Sequence, residues 1–400
     1  MRALRHPTNR AMFLGGFSGF ALLYVVQPLL PLLSREFALT AAQGSLSLSI
    51  STAAMAVSLV ASSALSDRFG RKPLMVGALA VAALMTVLCA LAGSFGQLLL
   101  ARALLGVALG GMPAVAMAYL GEEIDADGLG LAMGLYISGS ACGGMVGRML
   151  GSVLSDFYSW RAALVVLGLA GLLAALEFWR SLPVSRRFRA GAGRWRDLPH
   201  AMRRHCSDAG LPWLFALAFL LMGCMVSAYN YIGYRLLAAP FSLRQSLVGG
   251  ISLLYLLGIY SSVWAGKMAD RHGRRGVLWL VVAAMLAGLA LTLSRALPLV
   301  LLGMALYTFA FFAAHSMTSS WVGRRARGAP ALASALYLFF YYLGASVIGW
   351  ATGVLWAHAG WGGVVALLGS CLLGALAIAL HLRRLTPIAP MLSQIKAEAG

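Results

Sequence analysis

A ten-residue pattern occurs twice in this sequence, as SALSDRFGRK at 63–72 and as GKMADRHGRR at 266–275. In the first copy Asp67 is followed by Arg68, Gly70, Arg71 and Lys72; in the second, Gly266 leads to Asp270, Arg271, Gly273, Arg274 and Arg275. A carboxylate at a helix end accepts hydrogen bonds and is drawn to the positive N-terminus of a neighbouring helix. The glycine permits a tight turn, and the cations suit lipid phosphate or an acidic loop. These residue types offer a contact that can be made and broken, a conformational latch. The competing reading is a plain basic turn at a membrane surface.

Elsewhere the chemically able side chains sit inside apolar runs. Arg102, Arg148 and Arg235 do so, where a charge is costly and marks function by default. They are read either as three cations converging on the outer half of a cavity, attracting an anion or tuning a proton site, or as side chains snorkelling to headgroups. Carboxylates are scarce in these runs: Glu177 comes nearest, and its place three residues before Arg180 suggests a pair at a helix end. His315 shares a helical face with Tyr307 and Phe311; an imidazole titrates near pH ~6.5, so it is either a proton carrier or a hydrogen-bonded packing residue. Gly139, Gly143 and Gly147 recur every fourth residue, with Gly144 beside them, as for close helix packing or a hinge. Substrate contacts are expected from Tyr24 and Gln27, from Ser227, Asn230, Tyr231 and Tyr234 on one helical face, and from Tyr337 and Tyr341. An interfacial aromatic belt is the alternative for the tyrosines. Such a site is aromatic with amides and hydroxyls, suited to a small polar, neutral or anionic compound.

The elements that must position these residues are membrane helices. Of the 400 residues, 60% are hydrophobic and 11% charged, and the formal net charge is +19; soluble proteins run to roughly 45–50% and 25%. Apolar runs of about 20 residues, the length that spans a bilayer, number six from Ala11 to Leu182 and six from Leu211 to Leu382. The first holds Gln27, Pro28 and Pro31 and is read as a span, not a removable signal. Twelve spans leave only short connections. With both termini inside, 24 of the 31 Lys and Arg residues fall on the cytoplasmic side, as the positive-inside rule requires. The charge therefore reports topology and not a nucleic-acid partner. The loop of Glu122, Glu123, Asp125 and Asp127 breaks the basic pattern and is expected to face basic loops. The five cysteines lack metal or disulfide spacing, and no nucleophile, base and orienter come together. Neither an enzyme nor a cofactor is expected.

The two sets of six repeat each other. Asp67 and Asp270 are 203 positions apart, and Tyr136 and Tyr337, Gly143 and Gly344, and Trp160 and Trp361 are each 201 apart. A parallel duplication encloses a pathway between its halves. The doubled loop in this layout resembles the signature loop of the major facilitator superfamily, over nearly the whole chain. QPLLP at 27–31, YISGSACGGMVGR at 136–148 and YNYIGYRL at 229–236 are similar to bacterial inner-membrane transporters of the YnfM and arabinose-efflux type. The resemblance implies an all-α membrane protein with twelve transmembrane helices: an N-terminal bundle at 1–182, a basic cytoplasmic linker at 183–210 and a C-terminal bundle at 211–400. It further implies that the latch holds an outward-open state, and that Arg102 belongs to the family's Arg-x-x-x-Gly pattern. Two departures stand out: Ser63 replaces the family's glycine, and Gly144 replaces the proline of the exporters' fifth span. The expected function is secondary active transport of a small polar or drug-like solute, by proton-coupled export, in a monomer surrounded by membrane lipids. The alternatives are a uniporter or uptake carrier of the same fold and, from a different class, a non-transporting receptor or scaffold.

Overall fold

The computed structural model describes residues 7–185, 198–326 and 330–385, and among them every regular element is helical. Long helices follow one another as α1 (Pro7–Glu36), α2 (Ala41–Phe69), α3 (Arg71–Ala90), α4 (Phe95–Glu123), α5 (Ala126–Phe157) and α6 (Trp160–Ser181). A short linker helix, Leu198–Cys206, precedes α7 (Leu211–Leu237), α8 (Gln245–His272), α9 (Arg274–Leu291) and α10 (Leu297–Arg325). The last helical stretch, Pro330–Arg384, is broken at Gly360, where φ is 55°, into α11 (330–359) and α12 (361–384). Most of the linker, 186–197, lies outside the described residues.

Local signals set these boundaries. The Ser94 and Ser159 hydroxyls accept from backbone N–H groups at the starts of α4 and α6, and Thr40 with Gln43 forms a full capping box on α2. Gly70 (φ 91°) separates α2 from α3 and Gly273 (φ 75°) separates α8 from α9. Both doubled loops thus turn on a glycine in a conformation that side chains resist.

Among the described residues ten stretches are long and apolar enough to cross a membrane by length and composition. The last of them holds both α11 and α12. The serine-rich α2 is helical over 29 residues. Its hydroxyls fold back on carbonyls one turn earlier: Ser45 on Ala42 (2.8 Å), Ser47 on Gly44 (2.8 Å) and Thr52 on Ser49 (3.0 Å).

The repeat is visible in the packing. α1 lies against α5 and α7 against α11. At the closest approach of each pair stands a glycine: a Cβ on Gly143 would run into the Phe17 carbonyl, and one on Gly344 into the Phe219 carbonyl. Gly139 and Gly147 meet the Phe13 and Ala21 carbonyls in the same way. Between the two sets of six, α2 packs on α11 and α5 on the start of α8. The end at which the doubled loops turn is called the basic end below, and the opposite one the far end.

Candidate functional site

The site begins with a break in α1. Pro28 and Pro31 lack an N–H, and α1 is helical to Tyr24, passes through a 3₁₀ turn at Gln27–Leu29 and resumes at Leu30. The carbonyls at the end of the first segment lose their usual partners. Arg102 of α4, only 1% exposed, supplies donors instead: Nη1 to Leu22 O at 3.2 Å, Nη2 to Leu23 O at 2.7 Å and Nε to Ser47 O of α2 at 2.8 Å. A guanidinium at a helix C-terminus also opposes the negative end of the helix dipole. Arg102 therefore ties α1, α2 and α4 together through carbonyls alone.

Arg148 of α5 occupies the other side of the break. It is 3% exposed, donates Nε to Gln27 Oε1 at 2.5 Å and Nη1 to the Gly144 carbonyl at 2.7 Å. Gln27 passes the polarisation on, its Nε2 donating to Asn230 Oδ1 of α7 at 2.7 Å. Around the guanidinium stand three rings: Tyr24 at 4.1 Å, Tyr255 at 4.6 Å and Tyr229 at 5.9 Å. The Tyr229 hydroxyl bonds Thr308 at 2.8 Å, whereas the Tyr24 hydroxyl and the Asn230 amide nitrogen are buried without a hydrogen-bond partner. The cluster draws on α1, α5, α7 and α8, and so on both sets of six helices.

The other expected residues are distributed more widely. Arg235 does not join Arg148: it donates to the carbonyls of Thr292 and Ser294 at the end of α9 and lies over Phe241 and Trp361. Ser227 accepts from Thr352 at 3.1 Å and Tyr231 donates to the Gly349 carbonyl at 2.9 Å, so both face α11. Tyr234 bonds Ser34 of α1 at 2.8 Å. His315 bonds the Tyr337 hydroxyl through Nδ1 at 2.8 Å and stacks near Phe311 and Tyr341. Glu177 pairs with Arg10 of α1 at 2.8 Å, not with Arg180 as its spacing suggested. The neighbouring helix offered a closer cation than the turn below.

Two residues of the site, Tyr229 and Tyr255, escape a reading by spacing. Tyr229 adjoins Asn230 but falls off the face chosen for α7, and Tyr255 sits one residue beyond a 3₁₀ stretch, Ile251–Leu254, where helical periodicity fails. The aromatic types were visible; their convergence was not.

At the basic end the two doubled loops differ. Arg71, 9% exposed in its side chain, grips Glu122 of α4 with Nη2 to Oε1 at 2.7 Å and Nε to Oε2 at 3.3 Å, and also bonds Ser66. Lys72 donates to the Leu182 carbonyl at 2.5 Å. The Asp67 side chain lies outside the described residues, and Arg68 rests by the Phe69 ring. In the second loop Asp270 and Arg324 approach to 3.9 Å at the surface and Arg274 donates to Ser320 at 3.1 Å. Arg275 lies near the Trp321 ring. Beside it, Arg325 bonds Asp208, whose carboxylate also accepts from the N–H groups of Gly210 and Leu211 at 2.8 Å each. Burial opposes the charge of Asp208, but these hydrogen bonds outweigh it and hold the carboxyl below its ordinary pKa.

The far end is bridged between the two sets of helices. Besides Gln27 with Asn230 and Ser34 with Tyr234, Gln245 donates to the Pro28 carbonyl at 2.5 Å, and Asp156 of α5 accepts from the N–H and hydroxyl of Ser246 in the first turn of α8.

Two repeated six-helix sets with basic doubled loops at one end can be compared with known proteins. Residues 12–349 match the signature of the Major Facilitator Superfamily. The chain belongs to this superfamily. The chain is 49% identical to the inner membrane transport protein YnfM of Escherichia coli K12, over 94% of this chain and 90% of that protein. It is 43% identical to YybF, an uncharacterized MFS-type transporter of Bacillus subtilis, over 94% and 93%. Among solved structures, a bacterial homolog of the human lysosomal transporter Spinster, inward-facing and occupied, superimposes with a TM-score of 0.76 at 16% identity, and a D-xylose–proton symporter with 0.73 at 17%; each covers 95% of this chain and 98% of its own. As a superfamily member the protein is a multi-pass membrane transporter and not an enzyme.

Proposed function

We propose that this major facilitator protein is a secondary active transporter that exports a small polar or anionic solute across the inner membrane in exchange for protons. It works by alternating access between bundles 1–182 and 211–400, joined by the basic linker 183–210, with both termini in the cytoplasm. The observation that carries this reading is the Arg148, Gln27 and Asn230 chain of hydrogen bonds, which joins the two bundles around unpartnered buried donors. Hydrogen bonds that bridge the two bundles at the far end, with the described ion pairs of the doubled loops each lying within one bundle, support a cycle in which these two sets of contacts alternate. The doubled loops around Asp67 and Asp270 act as the latch of the opposite state. His315, hydrogen-bonded to Tyr337 and within reach of the aromatic lining, is the group proposed to carry the proton.

Proteoliposomes holding the purified protein test this. An imposed pH gradient should drive accumulation of a transported solute, and His315→Gln should uncouple proton from solute flux while leaving counterflow. Solute movement that ignores the pH gradient would favour the uniporter or uptake carrier, which gains support from the lack, among the described residues, of a carboxylate within ion-pair distance of Arg148. Failure of every solute to cross would leave a receptor or scaffold.

A further inference from the structure

We propose that the polar cluster around Arg148 binds the carboxylate of a small planar or aromatic acid, so that the solute of this transporter is an organic anion. The inference rests on the transport function above and narrows its substrate class.

The argument starts from an imbalance. Arg148 is buried among membrane helices, and its described partners are all neutral: the Gln27 side chain, the Gly144 carbonyl and three tyrosine rings. A buried cation is ordinarily paired, because burial without a counter-charge is costly. Cation–π contacts offset part of that cost, and they leave the net charge in place. Arg102 shows the contrast within the same molecule. All its described donors are spent on carbonyls of three helices, so it has a structural task that accounts for it. Arg148 makes hydrogen bonds through Nε and Nη1 only, and its second terminal nitrogen has none.

A second observation points to a ligand. The Tyr24 hydroxyl, on a side chain 3% exposed and with its ring against the guanidinium, has no hydrogen-bond partner. A carboxylate would accept from Arg148 Nη2 and from this hydroxyl together, supplying the missing charge. Guanidinium and carboxylate match geometrically. The same cluster disfavours a cation, which would meet Arg148 with no acid among its described partners. The body of the ligand would lie along the rings of Tyr24 and Tyr255, surfaces that favour a flat apolar group over a polyhydroxylated one. Gly144 contributes by omission: a Cβ there would crowd the Arg148 guanidinium.

Calorimetric titration of the purified, detergent-solubilised protein at neutral pH with benzoate, benzamide and benzylamine separates charge from shape. Benzoate is expected to bind at least tenfold more tightly than either of the others. Arg148→Gln should bring the three within about twofold of one another, and Tyr24→Phe should weaken benzoate alone by several-fold, which keeps the test alive if the arginine variant does not fold. Benzamide or benzylamine binding as tightly as benzoate would overturn the inference, as would an unchanged benzoate affinity in Tyr24→Phe or in a folded Arg148→Gln. Transport of a neutral or cationic solute in proteoliposomes, with no benzoate binding, would sink this inference and leave the transporter reading intact.

Discussion

The two doubled loops share a sequence pattern and a turn, yet they are anchored in different ways. In the first, Arg71 is buried in a two-point contact with Glu122 and Lys72 holds the carbonyl that ends α6. In the second, Asp270 and Arg324 make a distant pair at the surface, and the buried ion pair belongs to Arg325 and Asp208, just ahead of α7. The reason is the end of the next even-numbered helix after each loop. α4 finishes in acids, Glu122 and Glu123, whereas α10 finishes in Arg324 and Arg325. The same loop therefore meets an acid in one half and a cation in the other, and the acid of the second half has to come from the linker. Duplication preserved the turn, and the neighbours decide its strength.

That comparison can be broken at the shared features or at the divergent ones. The largest effect should come from the shared helix crossings. Gly143→Ala and Gly344→Ala each force a methyl into a facing carbonyl and should cost about 3 kcal/mol, lowering the melting temperature in detergent equally. A clear inequality would mean that the halves pack less alike than they look. Next, Glu122→Gln should cost about 2 kcal/mol, as loss of a charged hydrogen-bonded partner does, and shift the melting curve to match.

Asp208→Asn should follow at about 1.5 kcal/mol, with a dependence on pH. The folded protein holds the Asp208 carboxyl below its ordinary pKa, so its stabilisation is present above the carboxylate range and is lost as pH falls through the folded value. Wild-type and variant melting temperatures should differ at pH 7 and converge under acid. A constant difference down to about pH 3 would show that the charge is not what stabilises. The smallest effect belongs to Arg324→Ala, an exposed partner that should change stability by less than about 0.5 kcal/mol. If instead it matches Glu122→Gln, the two loops are equivalent after all.

Much of the architecture was open to reading in the sequence because it rests on local rules and on repetition. Gly70 and Gly273 were marked as turns by their setting, and the fourfold-spaced glycines of α5 do sit where another backbone comes close. The acidic loop was expected to face basic ones, and Glu122 does. What the sequence hid depends on which helices become neighbours. Arg102 looked like a functional charge, and only the break at Pro28 and the approach of α4 reveal it as a partner for orphaned carbonyls. Glu177 was within reach of Arg180 along its own helix, but α1 delivered Arg10. The face of α7 chosen by helical spacing is divided in three dimensions between α1 and α11, and Tyr255 entered the site through a 3₁₀ stretch that spacing rules do not anticipate.

The serines of α2 carry a further meaning. A hydroxyl that already bonds a carbonyl of its own helix asks nothing of the surface it touches, so α2 can lean on α11 without becoming committed to it. Were the two helices to part in the proposed cycle, the described bond from Ser346 to the Ser49 carbonyl would be given up, and the self-bonded hydroxyls of Ser45, Ser47 and Thr52 would stay satisfied. Apolar helices of the same length would adhere through every side chain. A helix with several self-bonded hydroxyls would serve that cycle as a bearing, polar enough to tolerate water on one stroke and dry enough to close on the next.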